Sequence, residues 1–275
     1  MDTPIFHIDA FTDTLFGGNS AAVVVFDASD ARCDDAVWMQ RFAAEMNLAE
    51  TAFLVTSDDS WALRWFTPTV EVQLCGHATL ASAHVLWSAG YLDPQAEARF
   101  NTRSGRLTAR RIADPLDGHI DGRIELGLPS LEAPEAPCDP AILEALGIAE
   151  PVFCGRHPSR YQLLVLQDED QLRSLQPNFA ALRDRDESYA VTAPSVDPAF
   201  DFVSRYFAPG HGIDEDPVTG SAHCVYAPYW CTQLAKPVVV GHQISERGGI
   251  VECEPVGDRV LLRGNAITVY SGTLA

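Results

Sequence analysis

Glu50 is a lone carboxylate where a helix-like run ending at Asn47 gives way to the apolar run Thr51-Ala52-Phe53-Leu54-Val55. An acid so placed loses solvation, which raises its pKa toward neutrality and suits it to take and return a proton. A solvated acid at a strand end fits the same spacing. Two further segments could do chemistry: Cys75-Gly76-His77-Ala78-Thr79 and Thr219-Gly220-Ser221 each open an apolar, helix-like stretch. The first N–H groups of a helix lack partners, and small residues let a ligand come close, so each turn is a cradle for a carboxylate or oxyanion. Ordinary capping by Ser, Thr and Gly uses the same donors. Asp214-Glu215-Asp216-Pro217 sets three acids before the second helix, where acids also offset the helix dipole. Cys75 and His77 invite a thiol-nucleophile reading. Residues two apart do not face each other on a helix, however, and no downstream His-Asn pair stands out. His84, inside the first apolar helix, reads as a packed residue, as do the remaining histidines.

The segments that must position these residues occur twice. Arg64-Trp65-Phe66-Thr67-Pro68 leads to the Cys75 turn, and Arg205-Tyr206-Phe207-Ala208-Pro209 leads to Asp216 and the Thr219 turn. One register carries Trp65 onto Tyr206, Phe66 onto Phe207, Pro68 onto Pro209, Val72 onto Ile213 and Ala81 onto Ala222, and it sets Cys75 opposite Asp216. Each copy reads as an aromatic strand, a loop opened by Pro, and a small-residue turn starting a helix.

Ile5 to Asp9, Ala21 to Phe26, Thr51 to Val55 and Ala62 to Phe66 read as strands. Trp38, Phe42 and Met46, with Met39 and Ala43 beside them, mark a helix that Asp34 or Asp35 can cap and Asn47 ends. Gly76 to Tyr91 and Thr219 to Leu234 are apolar around nearly their full circumference, as in helices wrapped by other structure. Further strands are expected at 98–101, 107–112 and 123–126, and the stretch from Pro129 to Pro140 reads as the connection to a second half. That half is expected to hold a short helix from Pro140 to Leu146, strands near Val152, 163–166, Ala190 and Phe202, and a helical region between Asp168 and Arg183. This pattern is mixed α+β, with a sheet curled around one buried helix in each half.

With 275 residues the chain can bury a large core, and its formal charge of −19 argues against nucleic acid and anionic membrane as partners, since those are bound through Lys and Arg. Lys236 is the only lysine and sits before Pro237 in what reads as a strand, which argues against a pyridoxal-phosphate enzyme, which needs a Schiff-base lysine, and against a P-loop ATPase. Seven irregularly spaced cysteines with no C-x-x-C read neither as a disulfide framework nor as zinc ligands. No targeting segment is expected ahead of the first strand, and no apolar run is long enough for a membrane span. A soluble, reducing, cytoplasmic setting is expected.

Ile8-Asp9-Ala10-Phe11-Thr12 with Phe16-Gly17-Gly18-Asn19, then Asn47-Leu48-Ala49-Glu50-Thr51, Cys75 to Thr79, and Glu215-Asp216-Pro217-Val218-Thr219-Gly220-Ser221-Ala222 follow one another along the chain. In these motifs the chain resembles the PhzF-like phenazine biosynthesis family, which shares the diaminopimelate epimerase-like fold, over essentially its whole length. The resemblance implies two pseudo-symmetric domains, each a curved, mostly antiparallel sheet around a central buried helix. The expected halves are 1–118, joined by a last strand at about 264–275, and 119–263. It further implies an active site in the cleft between them, a homodimer, and no cofactor or metal. Glu50 then corresponds to the general acid/base that moves a proton between carbons of a small carboxylate such as a cyclic dihydro-hydroxy-anthranilate. His77 and Asp216 would assist it, and Cys75, Gly76, Thr219, Gly220 and Ser221 would hold the substrate. Relatives that invert a stereocentre use a cysteine from each half, whereas here Cys75 faces Asp216 in the repeat. The alternatives are an amino-acid epimerase or racemase working with that unequal pair, and a catalytically silent small-molecule-binding dimer. One departure from the family pattern is Ser20, where Gly-Gly-Asn is commonly followed by Pro, a change expected to alter loop stiffness more than chemistry.

Overall fold

The computed structural model describes residues 3–57, 59–113, 120–159 and 161–274. Its first elements are β1 (Thr3–Ala10), β2 (Asn19–Phe26), α1 (Ala36–Met46), β3 (Glu50–Ser57), β4 (Ser60–Phe66), β5 (Glu71–Val72), α2 (Gly76–Ser88), β6 (Ala98–Thr102), β7 (Gly105–Ala113) and β8 (Ile120–Pro129). There follow α3 (Pro140–Leu146), β9 (Phe153–Arg156), β10 (Tyr161–Val165), α4 (Glu169–Ser174), α5 (Phe179–Leu182), β11 (Ser188–Pro194) and β12 (Phe202–Phe207). The last are α6 (Gly220–Leu234), β13 (Val239–Gln243), β14 (Gly249–Val256), β15 (Arg259–Gly264) and β16 (Ala266–Leu274). The chain forms two compact units, Met1–Gly127 with Arg263–Ala275, and Leu128–Leu262.

In unit 1 the strand order is β16-β1-β2-β3-β4-β6-β7-β8, with β5 paired to β4. Most neighbours are antiparallel; β2–β3 and β4–β6 are parallel. A parallel pair needs a crossover rather than a hairpin, and the sequence supplies a helix for each, α1 for the first and α2 for the second. The α1 helix is amphipathic. Asp35 accepts hydrogen bonds from the Val37 and Trp38 N–H groups at its start, and Asn47 ends it in the left-handed conformation. Met39 and Ala43 pack with Val24, Phe26, Phe53 and Phe66, and the half-buried Trp38, Phe42 and Met46 extend that cluster. Burial is nearly continuous from Ala21 to Phe26 and from Glu50 to Leu54. Because successive strand residues point to opposite faces, this sheet is covered on both sides. The second cover is α2, which touches β1, β2, β3, β7 and β16 and buries 11 of its 13 residues. Ala78, Ala81 and Ala83 let the strands come close to it.

Unit 2 repeats the scheme in the order β9-β10-β11-β12-β13-β14-β15, again with two parallel pairs, β10–β11 and β12–β13. The small helices α4 and α5 serve the first crossover and α6 the second. α6 packs on β10, β11, β13 and β14. Its Trp230 indole N–H donates to Thr192 Oγ1 at 3.0 Å, and Phe202 stacks on Trp230 with centroids 5.7 Å apart. The wrapped helices read from hydropathy are therefore the two central helices of a repeated βαβ-containing unit.

Two sequence expectations need correction. Lys236 is not in a strand: the chain leaves α6 through Ala235 at φ 52°, and Pro237, which has no N–H to give a ladder, delays the next strand until Val239. Lys236 instead pairs with Asp201. Nor are all cysteines unpaired, because Cys138 and Cys154 form a disulfide with Cα atoms 5.7 Å apart. The isolated bridge between Glu135 and Gly155 brings the loop before α3 alongside β9, which spacing alone does not reveal. Among the described residues no helix is long and apolar enough to cross a membrane.

Candidate active site

In a parallel strand pair both strands start at the same end. The register Ala21↔Glu50 therefore brings Asn19, the first residue of β2, to the same end of the sheet as Glu50, the first residue of β3. The turn into Asn19 depends on Gly18, whose φ of +62° is left-handed and where a Cβ would strike the Ala10 carbonyl. Ser20, the departure from the family pattern, donates to Asp9 at 2.9 Å, and Asp9 also accepts from the Phe16 N–H at 2.8 Å, so this loop is tied by side chains.

The start of α2 meets the same end of β2 and β3. Glu50 Oε2 lies 3.0 Å from His77 Nε2, an ion pair in which neither atom has a well-aligned hydrogen bond. On the other side of the imidazole, Nδ1 is 3.2 Å from Asn19 Nδ2 and 3.6 Å from Cys75 Sγ. Cys75 and His77 therefore do meet, contrary to the expectation from helical spacing. The reason is local: Cys75 is the N-cap, with extended backbone at φ −144° and ψ 112°, so the helical rule does not govern it. Glu50, Cys75 and His77 are all buried. Burial pushes the Cys75 thiol up, with the Glu50 charge adding to it, so the sulfur keeps its proton near neutrality. Burial alone would push His77 down, but its interactions with Cys75 and Glu50 outweigh it and hold the imidazole well above its ordinary value.

The corresponding end of unit 2 is built differently. Tyr161 and Ser188 start β10 and β11 in register, so Ser188 holds the strand-start position that Glu50 holds in unit 1. Tyr161 donates its hydroxyl to Ser221 Oγ at 2.9 Å, in the first turn of α6. Burial pushes the Tyr161 hydroxyl up, keeping it a donor. Asp216 is buried and accepts from the Thr219 hydroxyl. Gln243 clamps this turn, accepting from the Thr219 N–H at 2.9 Å and donating to the Asp216 carbonyl at 2.7 Å.

The two central helices also differ from the others at their starts. Asp35, Asp139, Asp168 and Asn178 cap α1, α3, α4 and α5 through their side chains, but Cys75 at α2 and Thr219 at α6 make no such bond. Thr219 turns its hydroxyl to Asp216 instead. Uncapped N–H groups behind a glycine, Gly76 in one helix and Gly220 in the other, are available to an anionic group. The loops leading to both helices are held alike. Arg64 grips Glu71 with two hydrogen bonds of 2.8 and 2.9 Å, and Arg205 grips Glu215 with two of 2.8 Å. Each guanidinium lies over the phenylalanine two residues on, Phe66 or Phe207, which is the physical content of the repeated Arg-aromatic-Phe phrase.

Asn19, Tyr161, Ser188 and Gln243 are the residues that sequence reasoning did not assign to either cluster. The Gly-Gly-Asn turn was visible as a turn, and its parallel register with Glu50 is what gives Asn19 a place beside His77. No local signal marks Gln243.

The model of the phenazine biosynthesis-like protein family, PhzC-PhzF, matches residues 8–272. An uncharacterized isomerase of Halalkalibacterium halodurans is 44% identical over 276 residues, covering 100% of this chain and 99% of that protein. The human phenazine biosynthesis-like domain-containing protein is 38% identical over 305 residues, covering 100% of this chain and 99% of its own. Among solved structures, a PhzF family protein of Enterococcus faecalis superposes with a TM-score of 0.89 at 36% identity, with both chains covered in full. A probable proline racemase of Agrobacterium radiobacter shares the fold, with a TM-score of 0.61 at 11% identity, over 99% of this chain and 93% of that one.

Proposed function

Because the chain belongs to the phenazine biosynthesis-like family of isomerases, we propose that it moves a proton between carbons of a small carboxylate-bearing substrate, with Glu50 as the acid/base. The observation that carries this assignment is the buried Glu50–His77 ion pair at the uncapped start of α2. The Glu50 carboxylate takes the proton from a C–H bond and returns it to another carbon. His77 steadies Glu50 and offsets the charge that grows as the C–H bond breaks, as a preorganised dipole or cation does most effectively away from water. Asp216 is assigned an assisting role through the turn it forms with Thr219. The N–H groups at Gly76, and those at Gly220 and Ser221 behind the turn that Thr219 forms, are assigned to carboxylate binding. A cyclic dihydro-hydroxy-anthranilate-like acid fits this chemistry and is the first substrate to try. Catalysis without a cofactor, a homodimeric state and a cytoplasmic location belong to the same proposal, and light scattering of the purified protein is expected to give twice the chain mass.

Glu50→Gln keeps the size and shape of the side chain but cannot accept the proton. Turnover is expected to fall to background while circular dichroism and substrate affinity stay close to those of the parent. Full activity in Glu50→Gln would remove the mechanism. A second assignment, an epimerase in which the Cys75 thiol handles a proton, is favoured by the 3.6 Å contact between Cys75 Sγ and His77 Nδ1. Solvent deuterium entering a stereocentre, and lost in Cys75→Ser but not in Glu50→Gln, would select it.

A further inference from the structure

We propose that Glu50, Cys75 and His77 bind a thiophilic divalent cation of the zinc class, which silences the enzyme by occupying its proton-handling groups. A carboxylate oxygen, a sulfur and an imidazole nitrogen, one from each residue, lie within 4.8 Å of one another. They come from the start of β3, the N-cap of α2 and its first turn, and all three residues are buried. Glu50 Oε2 and His77 Nε2 are buried atoms without an aligned hydrogen bond, so a cation would displace no such bond between them.

Ligand bonds of about 2.0–2.3 Å in a tetrahedron put neighbouring donors roughly 3.5 Å apart. His77 meets Glu50 through Nε2 at 3.0 Å and Cys75 through Nδ1 at 3.6 Å, so one ring nitrogen serves the ion and the remaining donor closes on it from within the 4.8 Å span of the set. Three protein donors leave the fourth position to water or to a substrate group, the pattern of open zinc sites. A sulfur and an imidazole in the set favour zinc-class ions over magnesium or calcium, which prefer oxygen. The positive end of the α2 dipole opposes any cation here, but a thiolate and a carboxylate supply two full negative charges against about half a positive one. Binding releases two protons to solvent, one from the Cys75 thiol and one from the His77 nitrogen that takes the metal, as the sulfur–metal and nitrogen–metal bonds form, and no electron is transferred. Asn19 beside His77, and Thr79, whose hydroxyl bonds the Cys75 carbonyl at 2.5 Å, hold the donors from behind.

The cation is exogenous, so it is compatible with an enzyme that works without a metal. Its binding does not depend on the function proposed above; its inhibitory effect does. Titration of the chelator-treated full-length protein with Co²⁺ tests the binding without any turnover. The expected result is one equivalent bound, with a thiolate-to-cobalt charge-transfer band and visible d–d bands, displaced by Zn²⁺. Cys75→Ser is expected to remove the charge-transfer band and to weaken cobalt binding by more than about 100-fold, beyond the usual cost of losing an outer partner. Glu50→Gln is expected to weaken binding but keep the band, and it carries the test if Cys75→Ser does not fold. Cys231→Ser, which changes a half-buried thiol in unit 2, is expected to leave binding unchanged. No cobalt bound by the parent, a band that persists in Cys75→Ser, a band lost in Cys231→Ser, or unaltered affinity in Glu50→Gln would each overturn the site. Inactive parent protein that still binds cobalt would instead count against the proposed isomerase chemistry.

Discussion

Asn19 touches His77 rather than Glu50, so it acts on the proposed chemistry through the imidazole. A catalytic group displaced by about 1 Å loses roughly 100-fold in rate. Asn19→Ala is accordingly expected to lower kcat by about that factor while KM changes little, and Asn19→Asp to restore the contact in part. Steady-state kinetics on the two variants checks this. The residue types of the candidate site were largely legible in the sequence. Glu50, Cys75, Gly76 and His77 stand in two short motifs, and Asp216 to Ser221 in a third. The contacts among them were not. Spacing rules for a regular helix misplace Cys75 because its backbone is extended, and Asn19 is 58 residues from the imidazole it reaches. Such proximity comes from the register of parallel strands, which no local pattern encodes.

At the level of elements, the two central helices were the clearest features of the chain, since a segment apolar all round must be enclosed. Crossover helices and parallel pairing were less legible, because short buried strands look alike whichever way they run. Enclosure has a measurable consequence in α6. His223 is fully buried and its Nδ1 is 2.9 Å from the Thr219 carbonyl, so the ring is held neutral and Nδ1 carries the hydrogen. Burial lowers its pKa from 6.5 to about 4, and burial with the Arg111 charge does the same for His84 in α2. As pH falls below the unfolded value, the unfolded chain takes up these protons first, so stability is full above about 6.5 and declines toward about 4. Each histidine is expected to account for a loss of roughly 3 kcal/mol across that window. Urea midpoints measured at its two ends check this, and His223→Gln should flatten the dependence.

Across the whole molecule the repeated unit is finished in two different ways. Unit 2 is contiguous, and the disulfide between Cys138 and Cys154 ties residues 16 apart within it. Closing a loop of that length stabilises by roughly 3 kcal/mol through the unfolded chain. Cys138→Ser is expected to lower urea stability by up to that amount without reductant, and the difference should vanish when both proteins are fully reduced. Among the described residues unit 1 has no disulfide, and the outer side of its strand β1 is covered only when β16, Ala266–Leu274, pairs with it. A ribosome therefore releases the parts of unit 1 on either side of unit 2: the half translated first waits for residues 266–274, which are made after all of Leu128–Leu262. Until they emerge, β1 offers a bare row of backbone donors and acceptors to any neighbouring nascent chain. Loss of residues 266–274 thus harms the first strands of this chain more than its middle.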